Sequence, residues 1–576
     1  MIKHNWFFDW YYDQNHTLKK QIRPWVKFTL VVLVISGLIV LFWSQNVGFY
    51  SQSFSLFTSY LKLLFNPINV NSSYPSYNLT LLSINFLFIT LGNIFLGTIA
   101  GWITALITAY LSSYHFLKQR WLLIINWIII ILRAFPVFVF IGLWKTGFNN
   151  YSVAIMIYYW FTWLWLHKYF INLFRGLDNK QYHFHHRIGY NQFMLFYQFV
   201  WPQIQDKSFL FLIFSIESNL RWTSILGSLG ISGIGSLIYE PIVKAEKNFQ
   251  EVLIPFVFLF ITLLFFEILL SFYNSLTKKI KRIKSLNPKV NAKKIYHFDQ
   301  LKLVLFFFFT IIIIYSLTQI NFTSPDNANM INYIAQVFDI RWNLFGISSL
   351  DDNPFYLFFL VILQAVTIFI WTIVFGIIFG ILSSHKVINK YCAYSFAVFN
   401  LLMRSFPIVL LFYLFNPIFN TPQSTAVVLI IFHNSFSLAK KINAVLYRIS
   451  RTQINYYRML KYSYFWIVWH YLWPNIKKEI INLSGFEFEI AVRDVVIMGA
   501  FGASLFGQKF VALEVRNPSS FAVYLWTFWA GILFLEFSSY LQRKLLIKNI
   551  QKKYFWSKIW TNLYWQFKNK IRLNKQ

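Results

Sequence analysis

Glu217-Ser-Asn-Leu-Arg221-Trp-Thr-Ser-Ile-Leu-Gly227-Ser-Leu-Gly230-Ile-Ser-Gly233-Ile-Gly235 decides how this chain is read, because its frame returns from Glu489 through Arg493, Gly499 and Gly502 to Gly507. The offset between 217 and 489 is 272, and the same offset relates Arg221 to Arg493, Gly227 to Gly499, Gly230 to Gly502 and Gly235 to Gly507. Only Gly233 is lost, with Leu505 in its place. A shared offset across Glu, Arg and three Gly inside apolar sequence points to tandem duplication of one membrane module.

Composition places that module in a bilayer. The 576 residues are 57% hydrophobic and 22% aromatic, and the mean hydropathy is +0.50, too apolar for a string of soluble domains. A formal net charge of +32 raises the question of nucleic acid, but the Lys and Arg lie mostly between apolar runs and in the tail. That is the pattern of cytoplasmic loops held at an anionic membrane face, and no nucleic-acid partner is expected. The one cysteine, Cys392, leaves no intramolecular disulfide or thiolate metal cluster, and it is expected to be a buried, inert thiol.

Runs long enough to cross a bilayer fall near 26–43, 81–111, 121–144, 151–167, 208–230 and 252–273, and again near 301–318, 355–382, 393–415, 424–438, 479–505 and 521–541. The expected fold is an all-α polytopic membrane protein of two tandem six-helix modules, about twelve spans, at 1–285 and 286–542, with a basic aromatic cytoplasmic tail at 543–576. Lys19, Lys20 and Arg23, Lys118 and Arg120, and the run from Lys278 to Lys284 place their segments inside. The loops 44–80 and 319–354 then face outward, and both chain termini lie in the cytoplasm. An even number of spans per half makes the repeat parallel. The tail, alternating Lys or Arg with Trp, Tyr, Phe and Ile, suits a helix lying in the lipid interface.

Between the fourth and fifth spans, Gly189 precedes Trp201-Pro202, with Phe193, Phe196 and Val200 spaced for one helical face. The second half offers Lys461 in the place of Gly189, then Phe465, Val468 and Leu472 before Trp473-Pro474. Each reads as a short amphipathic cytoplasmic helix stopped by its proline, a knob for another protein to grip. Two knobs imply a partner with two grooves.

The Gly189-to-Pro202 spacing resembles the cytoplasmic signature of permease subunits of bacterial ABC importers, specifically the phosphonate-type branch, although His183-Phe184-His185 and Asn455-Tyr456-Tyr457 replace that family's Glu-Ala-Ala triplet. Glu217, Arg221, Gly230, Gly233 and Gly235 resemble its Phe-Glu-x-x-x-Arg run and following glycines; Arg133-Ala-Phe-Pro136 and Arg404-Ser-Phe-Pro407 resemble its Arg-x-x-Pro. The resemblance implies two permease modules fused in one chain. It also implies an ABC ATPase dimer on the cytoplasmic side holding ATP and Mg, an external substrate-binding lipoprotein, and a phosphorus-bearing anion such as a phosphonate, a phosphate ester or thiamine pyrophosphate as solute. No cofactor and no catalytic residue are expected on this chain.

Arg133 and Arg404 sit in apolar spans just before a proline, where a cation needs a partner or a wet cavity. They are candidates for the substrate pathway, against snorkelling or a structural ion pair. Glu217 with Arg221, and Glu489 with Arg493, are spaced i, i+4, so a mutual salt bridge competes with a role bordering the pathway. Asp494 has no counterpart, Trp222 standing in its place, so the two sides of the pathway should differ in charge. The glycines Gly227, Gly230, Gly233, Gly235, Gly499, Gly502 and Gly507 have neither the spacing nor the Lys-Ser/Thr of a nucleotide loop and suit close helix packing or a turn within the membrane. His183, His185 and His186 lack nearby carboxylates or thiolates, and no metal site is expected. Glu267 and Glu536, near the inner ends of the sixth spans, should pair with basic loops. The rival classes are an intramembrane enzyme acting on lipid phosphates or polyprenyl donors, for which no convergent set of acid, base and nucleophile can be assembled, and an ATP-independent facilitator, which would have no use for two cytoplasmic knobs.

Overall fold

A computed structural model describes residues 8–12, 18–22, 24–45, 47–50, 53–113, 119–177, 180–243, 248–283, 300, 303–304, 307–315, 317–318, 326–345, 350–447, 449–516 and 520–538. The expected tail at 543–576, and much of the module boundary, lie outside these residues.

The apolar runs form helices because within a bilayer each backbone N–H and C=O must be paired inside its own segment. Among the described residues six helices are long and apolar enough to cross a membrane, or nine if each of three bent pairs is one span. The unbent ones are Leu79–Ser113, Gln192–Ser228, Phe249–Tyr273, Pro354–Leu382, Pro422–Leu446 and Ser520–Ser538. The chain is a multi-pass, all-α membrane protein.

In each half a long second helix packs along the fourth: Leu79–Ser113 on Asn150–Arg175, and Pro354–Leu382 on Pro422–Leu446. Glycines one turn apart permit that approach. A Cβ on Gly97 would stand 2.6 Å from the Ile155 carbonyl oxygen and one on Gly101 2.6 Å from that of Tyr159, while Gly376 and Gly380 face Leu438 and Ile442. The fourth helices begin at side-chain caps, Asn149 accepting from the Ser152 N–H and Thr421 forming a capping box with Ser424.

The third spans correct the sequence reading. Neither 121–144 nor 393–415 is a continuous crossing. Helix Ile124–Ala134 meets Val137–Gly147 at 86°, and Lys390–Ser405 meets Ile408–Ile418 at 86°. Pro136 and Pro407 cause the break: each lacks an N–H for the helix ladder and disfavours the helical conformation in the residue before it. Pro136, Phe406 and Pro407 all take extended backbone. The bend carries each third span into the other half. Leu410 and Leu414 are buried in the core of the first half, and Ala134, Phe138 and Val139 in that of the second. The halves are therefore interlocked by their apolar cores.

Several elements have no counterpart in the sequence reading, among them an antiparallel pairing of Val70–Asn71 with Tyr74–Asn78. Phe8–Tyr12 and Leu18–Ile22 form an antiparallel hairpin. Helices Phe54–Leu64 and Asn327–Phe338 occupy the two loops assigned to the outer face. On the side of these loops the halves are joined by a backbone bridge between Phe49 and Phe419, and within the first half Ser72 N–H donates to Glu251 Oε2 at 3.0 Å.

Candidate functional site

The breaks leave Arg133 and Arg404 in the last turn of their half-helices, where a cation meets the negative end of the helix dipole. Both are buried, at 8% and 3% exposure, so each needs a carboxylate. Each finds one on the opposite half. Arg404 pairs with Glu267 and lies 3.2 Å from Glu217, both of the first half. Lys440, also of the second half, donates to the other oxygen of Glu267 at 2.6 Å. Arg133 pairs with Glu536 of the second half. Glu267 and Glu536 thus hold membrane-embedded arginines rather than the basic loops expected for them. The broken third spans bring the arginines within reach, which no sequence spacing disclosed.

The i, i+4 pairs form as their spacing predicts: Arg221 bridges Glu217, and Arg493 donates to Glu489 at 3.0 Å. Each pair also reaches further. Arg221 lies 3.9 Å from Glu267, and Arg493 donates to the carbonyl of Arg133 at 2.9 Å, closing the open C-terminal end of that half-helix. The six residues proposed for the pathway therefore gather into two clusters of opposite charges between the halves. Isolated, any one of these charges would cost several kcal/mol at membrane depth (roughly 2.5–3.5 on insertion scales); paired, they fix which face of one half meets the other.

The glycines make a turn inside the membrane. Helix Trp201–Ser228 ends, Gly230 takes φ +78°, and Ile234–Val243 returns along the same helix with Gly227 against the backbone of Gly235. Trp473–Met498 repeats this through Gly502 at φ +96°, with Gly499 against Gly507, and Leu505–Arg516 leads back. Gly230 and Gly502 are needed for positive φ, while Gly227, Gly235, Gly499 and Gly507 are needed because no Cβ fits between the two backbones.

The segments expected to grip a partner share one backbone plan. Helix Lys180–Arg187 ends in a left-handed Gly189 at φ +93°, with the Tyr190 N–H returning to His185 O; helix Arg451–Met459 ends with Lys461 at φ +60° and the Tyr462 N–H returning to Tyr457 O. Both are Schellman closures. The next helix is capped by Asn191 in one and Ser463 in the other. Lys461 pays the steric penalty of a side chain in the left-handed region, about 1 kcal/mol. Lys461→Gly is accordingly expected to raise the apparent Tm of the solubilised protein and Gly189→Lys to lower it; unchanged melting in both would contradict this account of the turn.

The prolines do not stop these helices, which corrects the sequence reading. Phe196–Val200 and Val468–Leu472 form π turns that run on into Trp201–Ser228 and Trp473–Met498, with the Trp201 N–H bonded to Phe196 O and that of Trp473 to Val468 O. Pro202 and Pro474 fall at the start of the next helix, where a missing N–H costs little. The wider π turn changes which residues share a face. Phe193 and Phe465 point outward, each 77% exposed, but Val200 and Leu472 are buried and Phe196 and Val468 only half exposed, so the face proposed from a 3.6-residue period is split. The outward set is instead Phe184, Ile188, Phe193 and Tyr197, matched at the 272 offset by Tyr456, Leu460, Phe465 and Trp469, all exposed. His185 stacks on Phe199 with ring centres 4.3 Å apart, and His186 on Tyr182, an ordinary aromatic setting. Burial raises the Tyr182 phenol above its usual pKa. Cys392, expected to be buried, is exposed.

The chain is similar to known transport proteins over part or most of its length. Residues 373–548 match the family described as binding-protein-dependent transport system inner membrane component. Most of its length aligns with ABC transport system permease protein p69 of Mycoplasma genitalium, 27% identical over 91% of this chain and 96% of that protein. The p69 protein of Mycoplasma pneumoniae is 29% identical over 72% of this chain and 76% of its own length. A chain from inward-facing crystals of the MetNI methionine ABC transporter aligns at 17% identity and a TM-score of 0.30, covering 32% of this chain and 93% of that one. The matched region contains the whole second broken span, Lys390–Ser405 with Ile408–Ile418, the segment around Phe465, and Glu489 to Gly507.

Proposed function

We propose that both halves of the chain act as permease modules of one ATP-driven importer, enclosing a passage at the charged seam between them. An ABC ATPase dimer, holding ATP and Mg, grips the segments around Phe193 and Phe465 from the cytoplasm, where both chain termini also lie. Its stroke rocks the halves, and the seam opens alternately to each side. An external binding lipoprotein delivers solute to the face formed by the loops 44–80 and 319–354. The solute is a phosphorus-bearing anion, a phosphonate, phosphate ester or thiamine pyrophosphate-like molecule, for which Arg133, Arg404, Arg221 and Arg493 supply guanidinium forks as their carboxylate partners let go.

One observation carries the reading: four exposed apolar side chains on each docking segment, matched position for position at the 272 offset. An apolar patch repeated on two cytoplasmic knobs suits a two-fold partner. Phe193→Asp and Phe465→Asp, made separately in the full chain, are each expected to reduce association with the ATPase at least tenfold, since each buries a charge in an apolar contact. Normal association in both variants would overturn the docking assignment.

A further inference from the structure

The carboxylates on the helices that meet between the halves include Glu217, Glu267, Glu487, Glu489, Asp494 and Glu536. Five have an arginine or lysine partner: Glu217 with Arg221 and Arg404, Glu267 with Arg404 and Lys440, Glu487 with Lys441, Glu489 with Arg493, Glu536 with Arg133. Asp494 has none. Its hydrogen bond comes from the neutral amide of Asn434, Nδ2 donating to Oδ2 at 2.8 Å.

The contrast is sharpest within one pair of helices. Pro422–Leu446 and Trp473–Met498 are joined by two rungs: Lys441 to Glu487 at 2.5 Å and, seven residues further along each helix, Asn434 to Asp494. Seven residues is about two turns, so both rungs lie on the same faces. One rung closes on a lysine and the other on an amide. The adjacent Arg493 is committed elsewhere, to Glu489 and the Arg133 carbonyl. Nor can the lack be assigned to a generic need of the fold. At the same offset the first half carries Trp222, its ring tilted against that of Phe161 with centres 5.5 Å apart, where the second has Asp494 and His433. The protein builds this position without charge on one side and, on the other, with a carboxylate hydrogen-bonded to an amide rather than salt-bridged among the described residues. Asp494 is half-buried, so part of it remains open to a probe the size of water.

A carboxylate at membrane depth without a cation carries a penalty that a cationic ligand would remove. We propose that Asp494, oriented by Asn434, is a specificity-determining residue of the passage that takes a cationic group of the solute, an ammonium or protonated ring nitrogen. The solute is then bipolar, its anionic end belonging to the arginines. This rests on the passage reading given above.

The test uses the full chain in native membranes with Cys392→Ser, which removes the only cysteine. Ile490→Cys then places a thiol one turn before Asp494, on the same helix face and half-buried. The probes are two methanethiosulfonates of similar size, one bearing trimethylammonium and one sulfonate. With Asp494 present the cationic reagent is expected to react faster, and Asp494→Asn, which keeps the shape and the hydrogen bond, should lower the cation-to-anion rate ratio about tenfold, the effect of a unit charge at this distance. An unchanged ratio, or a thiol reached by neither reagent, would overturn the proposal. ATPase co-purification is measured on the same membranes. Its loss would defeat the importer reading while leaving the ratio intact, so the two failures are distinguishable.

Discussion

Arg133→Leu is expected to destabilise the protein by about 3–5 kcal/mol, the cost of leaving a buried carboxylate without its cation. Among the described residues the partner of Glu536 is Arg133, so the substitution strands a charge and at the same time loosens the join between the halves. Arg404→Leu should cost less, because Lys440 remains 2.6 Å from Glu267 and Arg221 remains on Glu217. The order of the two effects is what the geometry dictates; charge counting alone would make them equal. Pairing Arg133→Leu with Glu536→Leu should recover most of the loss, since removing both charges also removes the desolvation penalty. Thermal unfolding of the solubilised chain reads all three. Equal melting of Arg133→Leu and the parent would mean that Glu536 is held by something other than Arg133.

Gly235→Ala and Gly499→Ala should each cost about 3 kcal/mol, at the upper end of overpacking effects, because a methyl group at either site overlaps backbone rather than a side chain that can swing away. On Gly235 it meets the Thr223 carbonyl, and on Gly499 it meets Gly507 Cα. The turn must open, and with it the return helix in front of the charged seam. Gly37→Ala is the control: a Cβ there meets nothing within 4 Å, and the helical position favours alanine. A fall in expression or melting temperature for the first two with no change in the third is the expected outcome. Tolerance of Gly235→Ala would show that the close approach of the two backbones is not required.

The sequence disclosed what depends on local period and on repetition. The 272 offset located the paired fifth spans, their glycine turns and the two matching segments around Phe193 and Phe465, and the i, i+4 spacing anticipated the Glu217–Arg221 and Glu489–Arg493 bridges. It did not disclose what depends on direction in space. Arg133-Ala-Phe-Pro136 identified a strained position, yet whether the chain kinks or turns through 86° is decided by what the second half-helix packs on, here the core of the other half. Glu267 and Glu536 were legible as membrane carboxylates, but their partners come from 137 and 403 residues away. The π turns defeated a 3.6-residue reading: Tyr197 and Trp469 share the outward face with Phe193 and Phe465, and Phe196 and Val468 turn inward. The signal that could have found them is the repeat itself, since each of these four positions carries an aromatic or aliphatic side chain in both halves.

The central claim is that this chain presents two docking segments to one pair of ATPases. Extraction of the chain from its native membrane in mild detergent, followed by mass spectrometry of the intact complex, measures this directly. The account predicts an ABC-type ATPase at two copies per chain. A folded chain that emerges with no ATPase, or with a single copy bound at one segment, would contradict it.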